Sequence, residues 1–368
     1  MPYKILYTPK TMKKPIKLCD ETCQLSSRRK FIKNSLLTAG AITLGGWSLH
    51  GLSNTTIRRN RTSGQIENRY IPKYIALEKN GELERRERAL WQKMERCNLC
   101  PRNCGVNRMV GRKGICSSDQ TLRVASSQIT WGEERVIVGS GGAGSIFFSN
   151  CNLLCVFCQN WDIAHYGRGH ETNHSQLADM MLALQERGAH NVGVVTPTHI
   201  VPHIVSALRI AIDRGLNIPL IYDTGGYETL EVVELLDGIV DVYQPDFKFQ
   251  NSEIAARFIQ NAPDYTLHTA AAVKEMHRQA GVAEIVGGIM NRGLIIRHLV
   301  LPENLGGADR LVRWIADELG TDTHVTIMAQ YRPEHRARYY PPLNRRITQR
   351  EFDEAMRWAR EAGLRNFH

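Results

Sequence analysis

The stretch Ser145-Ile146-Phe147-Phe148-Ser149-Asn150-Cys151-Asn152-Leu153-Leu154-Cys155-Val156-Phe157-Cys158 joins a short apolar run to three cysteines. The run has the length and character of a buried strand, and the cysteines follow it at once. Five further apolar runs lie downstream, at residues 191–196, 218–223, 240–246, 294–301 and 325–330. Amphipathic helical patterns stand between them, for example over 175–187, 200–214, 229–236 and 307–319. A last helix is predicted over 348–362, where Thr348 and Glu351 have the spacing of a capping box. Short apolar runs alternating with amphipathic helices predict an α/β fold, a parallel sheet with helical crossovers. Six βα units are too few for a closed eight-fold barrel, so a partial (βα)6 TIM-like barrel over residues 144–368 is expected. Functional residues of such barrels lie at the C-terminal ends of the strands, which is where this spacing puts Cys151, Cys155 and Cys158.

Three thiolates on one loop can hold a cubane and leave its fourth iron without a protein ligand. A disulfide suits three cysteines in eight residues poorly, and a zinc site would need a fourth ligand. The C-x3-C-x2-C pattern, with an aromatic before the last cysteine, resembles the signature of the radical S-adenosylmethionine (SAM) superfamily. The resemblance implies a [4Fe–4S] cluster whose open iron chelates SAM. One-electron reduction, from a carrier of the flavodoxin or ferredoxin type, would then yield a 5′-deoxyadenosyl radical that abstracts hydrogen. Further segments are similar to the pyruvate formate-lyase activating enzymes: Gln159-Asn160, Tyr222-Asp223-Thr224-Gly225-Gly226, Asp246-Phe247-Lys248, and the strand 296–302 bearing Arg297. By that likeness Asp223, Asp246, Lys248 and Arg297 line the SAM site. A ligand with a carboxylate, an ammonium and a sulfonium needs both charge signs close together. In place of the Gly-Gly-Glu motif of much of the superfamily stands Thr196-Pro197-Thr198-His199. Thr196 is therefore a cofactor-binding candidate through its carbonyl or hydroxyl. His199 and His203 read first as structural histidines.

Cys97, Cys100, Cys104 and Cys116 form a second group among Pro101, Gly105, Gly111 and Gly114. Four thiolates complete either tetrahedral zinc or a closed iron–sulfur cluster, so a second metal, zinc or Fe–S, is expected in a Cys-rich module at 97–116 of an N-terminal region, residues 70–143. This segment, with residues 196–199 and 327–333, resembles a less-characterised branch of activase-like proteins.

The chain of 368 residues has 42% apolar and 23% charged residues, as a soluble globular protein does. Its net charge of +10 resides in residues 1–69, which carry 13 Lys/Arg against 3 Asp/Glu; the rest balances. Nucleic-acid binding is thus not expected of the folded part. Within 1–52, Ser27-Arg28-Arg29-Lys30-Phe31-Ile32-Lys33 precedes a moderately apolar run, the pattern of a twin-arginine signal. Residues 53–69 read as a linker. The expectation is export by the twin-arginine machinery to the periplasm or an inner-membrane tether, with the cytoplasm as the location where the signal is unused. Cys19 and Cys23 receive no role. The expected function is activase-like hydrogen abstraction from a protein substrate. The competing readings are a radical SAM enzyme acting on a small molecule and an exported Fe–S electron-transfer protein.

Overall fold

The computed structural model describes residues 70–260 and 262–368. The signal, the linker, Cys19 and Cys23 lie outside the described residues. Among the described residues no helix is long and apolar enough to cross a membrane.

The described residues form ten strands: β1 Arg123–Thr130, β2 Ala143–Phe148, β3 His170–Glu171, β4 Val192–Val195, β5 Leu220–Thr224, β6 Val242–Pro245, β7 Glu284–Val286, β8 Ile289–Leu299, β9 His324–Met328 and β10 Asn366–Phe367. The path through the sheet is β10-β9-β8-β6-β5-β4-β2-β1-β3, with β7 paired to β8. Six of these, β2, β4, β5, β6, β8 and β9, are mutually parallel in chain order. They are the six runs read from the sequence, and they make the partial barrel. Val-, Ile- and Leu-rich runs of this length suit strands buried on both faces. Accordingly β4, β5 and β6 are almost wholly buried. The path does not close on itself.

Helices His174–Glu186, Val201–Asp213, Leu230–Leu235 and Ala308–Glu318 occupy the expected crossovers. Helix Gln349–Glu361 begins at Thr348, whose side chain accepts from the Glu351 N–H while Glu351 returns the bond, the capping box in full.

Three features go beyond the sequence reading. In the N-terminal region, helix Tyr74–Lys79 precedes helix Glu82–Glu95. The crossover between β6 and β8 is a helix pair, Ser252–Phe258 and Tyr265–Ala280. The sheet begins upstream of residue 144, because β1 pairs antiparallel with β2 and so ties the N-terminal region to the barrel. The 131–142 connection between them runs under the N-terminal ends of the parallel strands. There Ile137 packs with Ala143, Ile221, Val242, Met290 and Ile295 and plugs the barrel floor.

Candidate active site

The three-cysteine loop leaves β2 through Asn150 and turns again at Leu154, both in left-handed conformation (φ 73° and 54°). Its backbone is held from three sides. Val156 N–H donates to Phe258 O (2.9 Å), His165 Nε2 lies 3.1 Å from Cys155 O, and Asn152 Nδ2 donates to Tyr227 O (2.9 Å). Phe157, the aromatic of the motif, is a packing residue, buried edge-on against Phe249 and Tyr331. All three thiols are free, and the Leu153 N–H donates to Cys151 Sγ (3.3 Å). Burial pushes the Cys158 thiol up to about 12 and Cys155 higher still, with Lys248 opposing the rise at both. Metal coordination is what keeps such thiols as thiolates.

The expected charged residues gather below this loop. Asp223 lies on β5 in register with Gln244 of β6, and Arg297 on β8 in register with Thr326 of β9. An isolated bridge pairs Asp246 with Arg297. The Arg297 guanidinium donates to Asp223, to Asp246 Oδ1 (3.0 Å) and to Glu133 Oε2 (3.4 Å), and Lys248 Nζ donates to Asp246. The Asp246, Lys248 and Arg297 side chains keep 17%, 16% and 14% exposure, so part of each group is still open to a ligand. Burial pushes Asp223 up to about 7, with Arg297 opposing and Asp246 and Glu133 assisting. Burial works the same way on Asp246, but Lys248 and Arg297 outweigh it and hold that carboxyl below the usual range.

Gly226 (φ 80°) permits this crowding: a β-carbon there would meet Asp246 O at 2.6 Å. Tyr265 ties the turns together, its hydroxyl within 3.0 Å of the Gly225 and Asp246 carbonyls while accepting from the Lys248 N–H (3.0 Å).

At the end of β4, Thr196 adopts φ 61°, a costly conformation for a β-branched residue. Its N–H donates to Asp223 O (2.9 Å), and its hydroxyl makes no hydrogen bond within the described residues. The Thr198 hydroxyl, in contrast, is buried and committed to Glu228. His199 and His203 are buried away from the strand-end charges, and burial lowers each to about 3, so both are neutral. His199 Nε2 lies 2.9 Å from Ser149 O; His203 Nδ1 lies 3.0 Å from His174 Nε2.

Sequence reasoning missed Glu133, Glu134, His165 and Tyr265. Glu134, contributed by the floor connection, accepts from Gln244 and from Thr326 (2.8 Å), bridging β6 and β9 across the barrel. A Glu-Glu pair in a polar loop gives no signal of burial. His165 follows the cysteines closely enough to have been noticed.

The four other cysteines lie on the loops after helix Glu82–Glu95, three of them buried and all free. This module is fastened to the cluster loop. Arg102 Nε donates to Asn152 O (2.8 Å), Arg102 Nη2 to Leu153 O (3.1 Å), and Asn150 Nδ2 to Ser118 Oγ (2.9 Å). Among the described residues no group of three or more His, Cys, Asp or Glu converges so as to hold a single metal ion. The three-cysteine loop fits a cubane, a larger body with thiolates at separate corners, and its donor set is thiol alone.

Residues 145–298 match the family described as the radical SAM superfamily. An uncharacterized protein of Methanocaldococcus jannaschii is 34% identical over 280 residues, 73% of this chain and 75% of the relative. A second from the same organism is 20% identical over 279 residues, 70% of this chain and 78% of the relative. Among solved structures, HydG, a maturase of the [FeFe]-hydrogenase, aligns with a TM-score of 0.44 at 12% identity, over 60% of this chain and 50% of HydG. TYW1 with a lysine-pyruvate adduct aligns at 0.37 and 9% identity, over 59% of this chain and 73% of TYW1. The chain belongs to the radical SAM superfamily. Its cofactors are a [4Fe–4S] cluster and SAM, and its chemistry is SAM-dependent radical chemistry.

Proposed function

We propose that the chain is an activase-like radical SAM enzyme whose substrate is another protein. Cys151, Cys155 and Cys158 hold the cluster, and Asp223, Asp246, Lys248, Arg297 and Thr196 bind SAM. The cofactor supplies the hydrogen-abstracting radical; the chain supplies position, charge and exclusion of water. Arg297 and Lys248 offer donors to a carboxylate, Asp223 and Asp246 offer acceptors to an ammonium, and Thr196 adds a hydroxyl not otherwise engaged.

The observation that carries a protein substrate is the surface beside the cluster loop. Gln159 Nε2 donates to Gln330 O (3.1 Å) and Arg336 N–H to Val156 O (2.9 Å), which lays residues 330–346 against the loop. That segment exposes Arg332, Arg336, Arg338, Tyr339 and Tyr340, and Tyr166 is exposed across from it. Exposed aromatics interleaved with arginine are the composition of a macromolecular contact. The sheet path does not close on itself, which agrees with a substrate that approaches from the side.

A flavodoxin- or ferredoxin-type carrier supplies the electron, the four-cysteine module holds a second metal (zinc or iron–sulfur), and residues 1–52 direct twin-arginine export. The decisive experiment is anaerobic reconstitution with iron and sulfide, then dithionite and SAM. 5′-Deoxyadenosine should form, and its rate should rise with the high-molecular-weight fraction of the source cell's extract. Stimulation by the small-molecule fraction alone would overturn the protein-substrate reading, and absence of cleavage would overturn the enzyme reading. Arg28→Lys with Arg29→Lys should keep the full chain out of the cell envelope on fractionation, because Lys lacks the planar guanidinium fork.

A further inference from the structure

Arg108 is fully buried and, among the described residues, has no counter-ion. Its Nη1 donates to His199 O (2.6 Å), and its Nε and Nη2 donate to Asp119 O (3.2 and 2.7 Å). Both acceptors of these three bonds are neutral carbonyls, and among the described residues no carboxylate lies within ion-pair distance. A buried, unpaired charge is strongly unfavourable, and a guanidinium does not escape by losing its proton. The group beside it that can become anionic is the four-cysteine module: Arg108 Nη1 stands 4.0 Å from Cys97 Sγ.

Other features of the module also point to a bound centre. The Ile115 N–H donates to Cys104 Sγ (3.3 Å), as backbone amides do toward metal-bound thiolates. Gly114 lies between two sulfurs, where a β-carbon would come within 3.3 Å of Cys104 Sγ and 3.8 Å of Cys116 Sγ. No three donors of the described residues close on one point, as zinc with bonds of about 2.3 Å requires. A cubane, in contrast, takes each thiolate on a separate iron at its own corner.

We propose that Cys97, Cys100, Cys104 and Cys116 ligate a second [4Fe–4S] cluster, closed by protein on all four irons, with Arg108 as its buried counter-cation. This deepens the second-metal reading above. Four thiolates around a 2+ core leave a dianion, and Arg108 offsets half of that charge. Arg102 joins this centre to the loop of the first through the carbonyls of Asn152 and Leu153. The two clusters therefore lie on hydrogen-bonded neighbouring loops.

The full chain, purified anaerobically and reconstituted, should carry about eight irons, two cubanes of four. The Cys151→Ala/Cys155→Ala/Cys158→Ala protein should keep about four, with the EPR signal of a reduced cubane that SAM does not perturb. Four irons with one zinc in the parent, or an iron-free triple variant, overturns the proposal and leaves the radical SAM assignment intact. Arg108→Met should lose the second cluster's iron or move its midpoint to lower potential, whereas Arg108→Lys, which keeps the charge, should retain both iron and potential. Full iron at an unchanged midpoint in Arg108→Met removes Arg108 as the counter-ion. Circular dichroism of each variant separates loss of the cluster from loss of the fold.

Discussion

The molecule carries two cysteine groups on adjoining loops, and their surroundings differ. The Cys151–Cys158 loop faces a set of charges that are already paired with one another yet still partly open, Arg297 and Lys248 against Asp223 and Asp246. The Cys97–Cys116 module holds a cation of another kind, Arg108, fully buried and, among the described residues, matched by carbonyls and sulfur alone. The first arrangement can exchange partners with a charged ligand that enters, because each ion keeps some exposure. In the second the cation itself is fully buried, so the anion proposed to balance it would be a permanent one. Spacing alone separates three thiols from four; the state of the neighbouring cation separates a site that turns over from one that does not.

The largest effect that could break this contrast is in the cysteines themselves. Cys151→Ala, Cys155→Ala or Cys158→Ala should each abolish 5′-deoxyadenosine formation under dithionite, because no other described cysteine shares that loop. A single variant with near-parental production would show that the loop does not hold the reactive centre.

Next in size is Arg297. It neutralises Asp223 and Asp246 together and also meets Glu133. Arg297→Met leaves those carboxylates facing each other in a buried place, at a cost of about 3–5 kcal/mol in folding stability. Lys248→Ala, with a less central role, should weaken SAM binding by about 1.5–3 kcal/mol, roughly 10- to 150-fold. Equilibrium binding of SAM to the reconstituted protein, alongside urea unfolding, separates the two effects. Unchanged SAM affinity in Lys248→Ala would return Lys248 to a packing ion pair with Asp246.

Much of this was legible in the sequence, for a physical reason. The central strands β4, β5 and β6 are buried on both faces, so their apolar runs give way to polar residues only toward the strand ends, and Asp223 and Asp246 mark two of those ends. β1 was not legible: Ser126, Ser127 and Gln128 are only partly covered or exposed, and their run reads as loop. Nor were Glu133 and Glu134, since a carboxylate becomes a buried residue only through partners distant in the chain, here Arg297, Gln244 and Thr326. Tyr265 sits on a helix whose apolar pattern gives no hint that its hydroxyl joins three strand-end groups. The tetrad spacing was visible, but Arg108 reads as one more exposed arginine in a basic loop.

The latch between the two groups gives the third test. Arg102 is buried and donates to two carbonyls of the cluster loop. Charge-assisted bonds of this kind are each worth about 1.5–3 kcal/mol. Arg102→Ala should lower the unfolding midpoint accordingly and speed loss of the first cluster's iron to a chelator. Parental iron retention in this variant would mean that the two loops hold their shapes independently.

The smallest effect concerns the acid standing between the groups. Glu228 accepts from Thr198 and from Thr224, beside the Asp223 turn, and its charge adds to the burial that raises Cys100. Burial pushes Glu228 up to about 7, with the two threonine hydroxyls opposing. The folded protein therefore keeps this proton to near neutrality, while an unfolded chain releases it near 4.3. Between those values the native state binds more protons, so stability falls as pH rises, and the loss is complete above about 7. Glu228→Gln carries no ionisable proton and should escape that loss, gaining about 1–3 kcal/mol over the parent at pH 8 relative to pH 5. A residual slope is expected, because burial also raises Asp223 and Asp241 to about 7. Anaerobic urea unfolding of both proteins at the two pH values measures the difference. Parallel curves for parent and variant would show that Glu228 is ionised throughout, and that the wall between the two cysteine groups holds a charge instead of a proton.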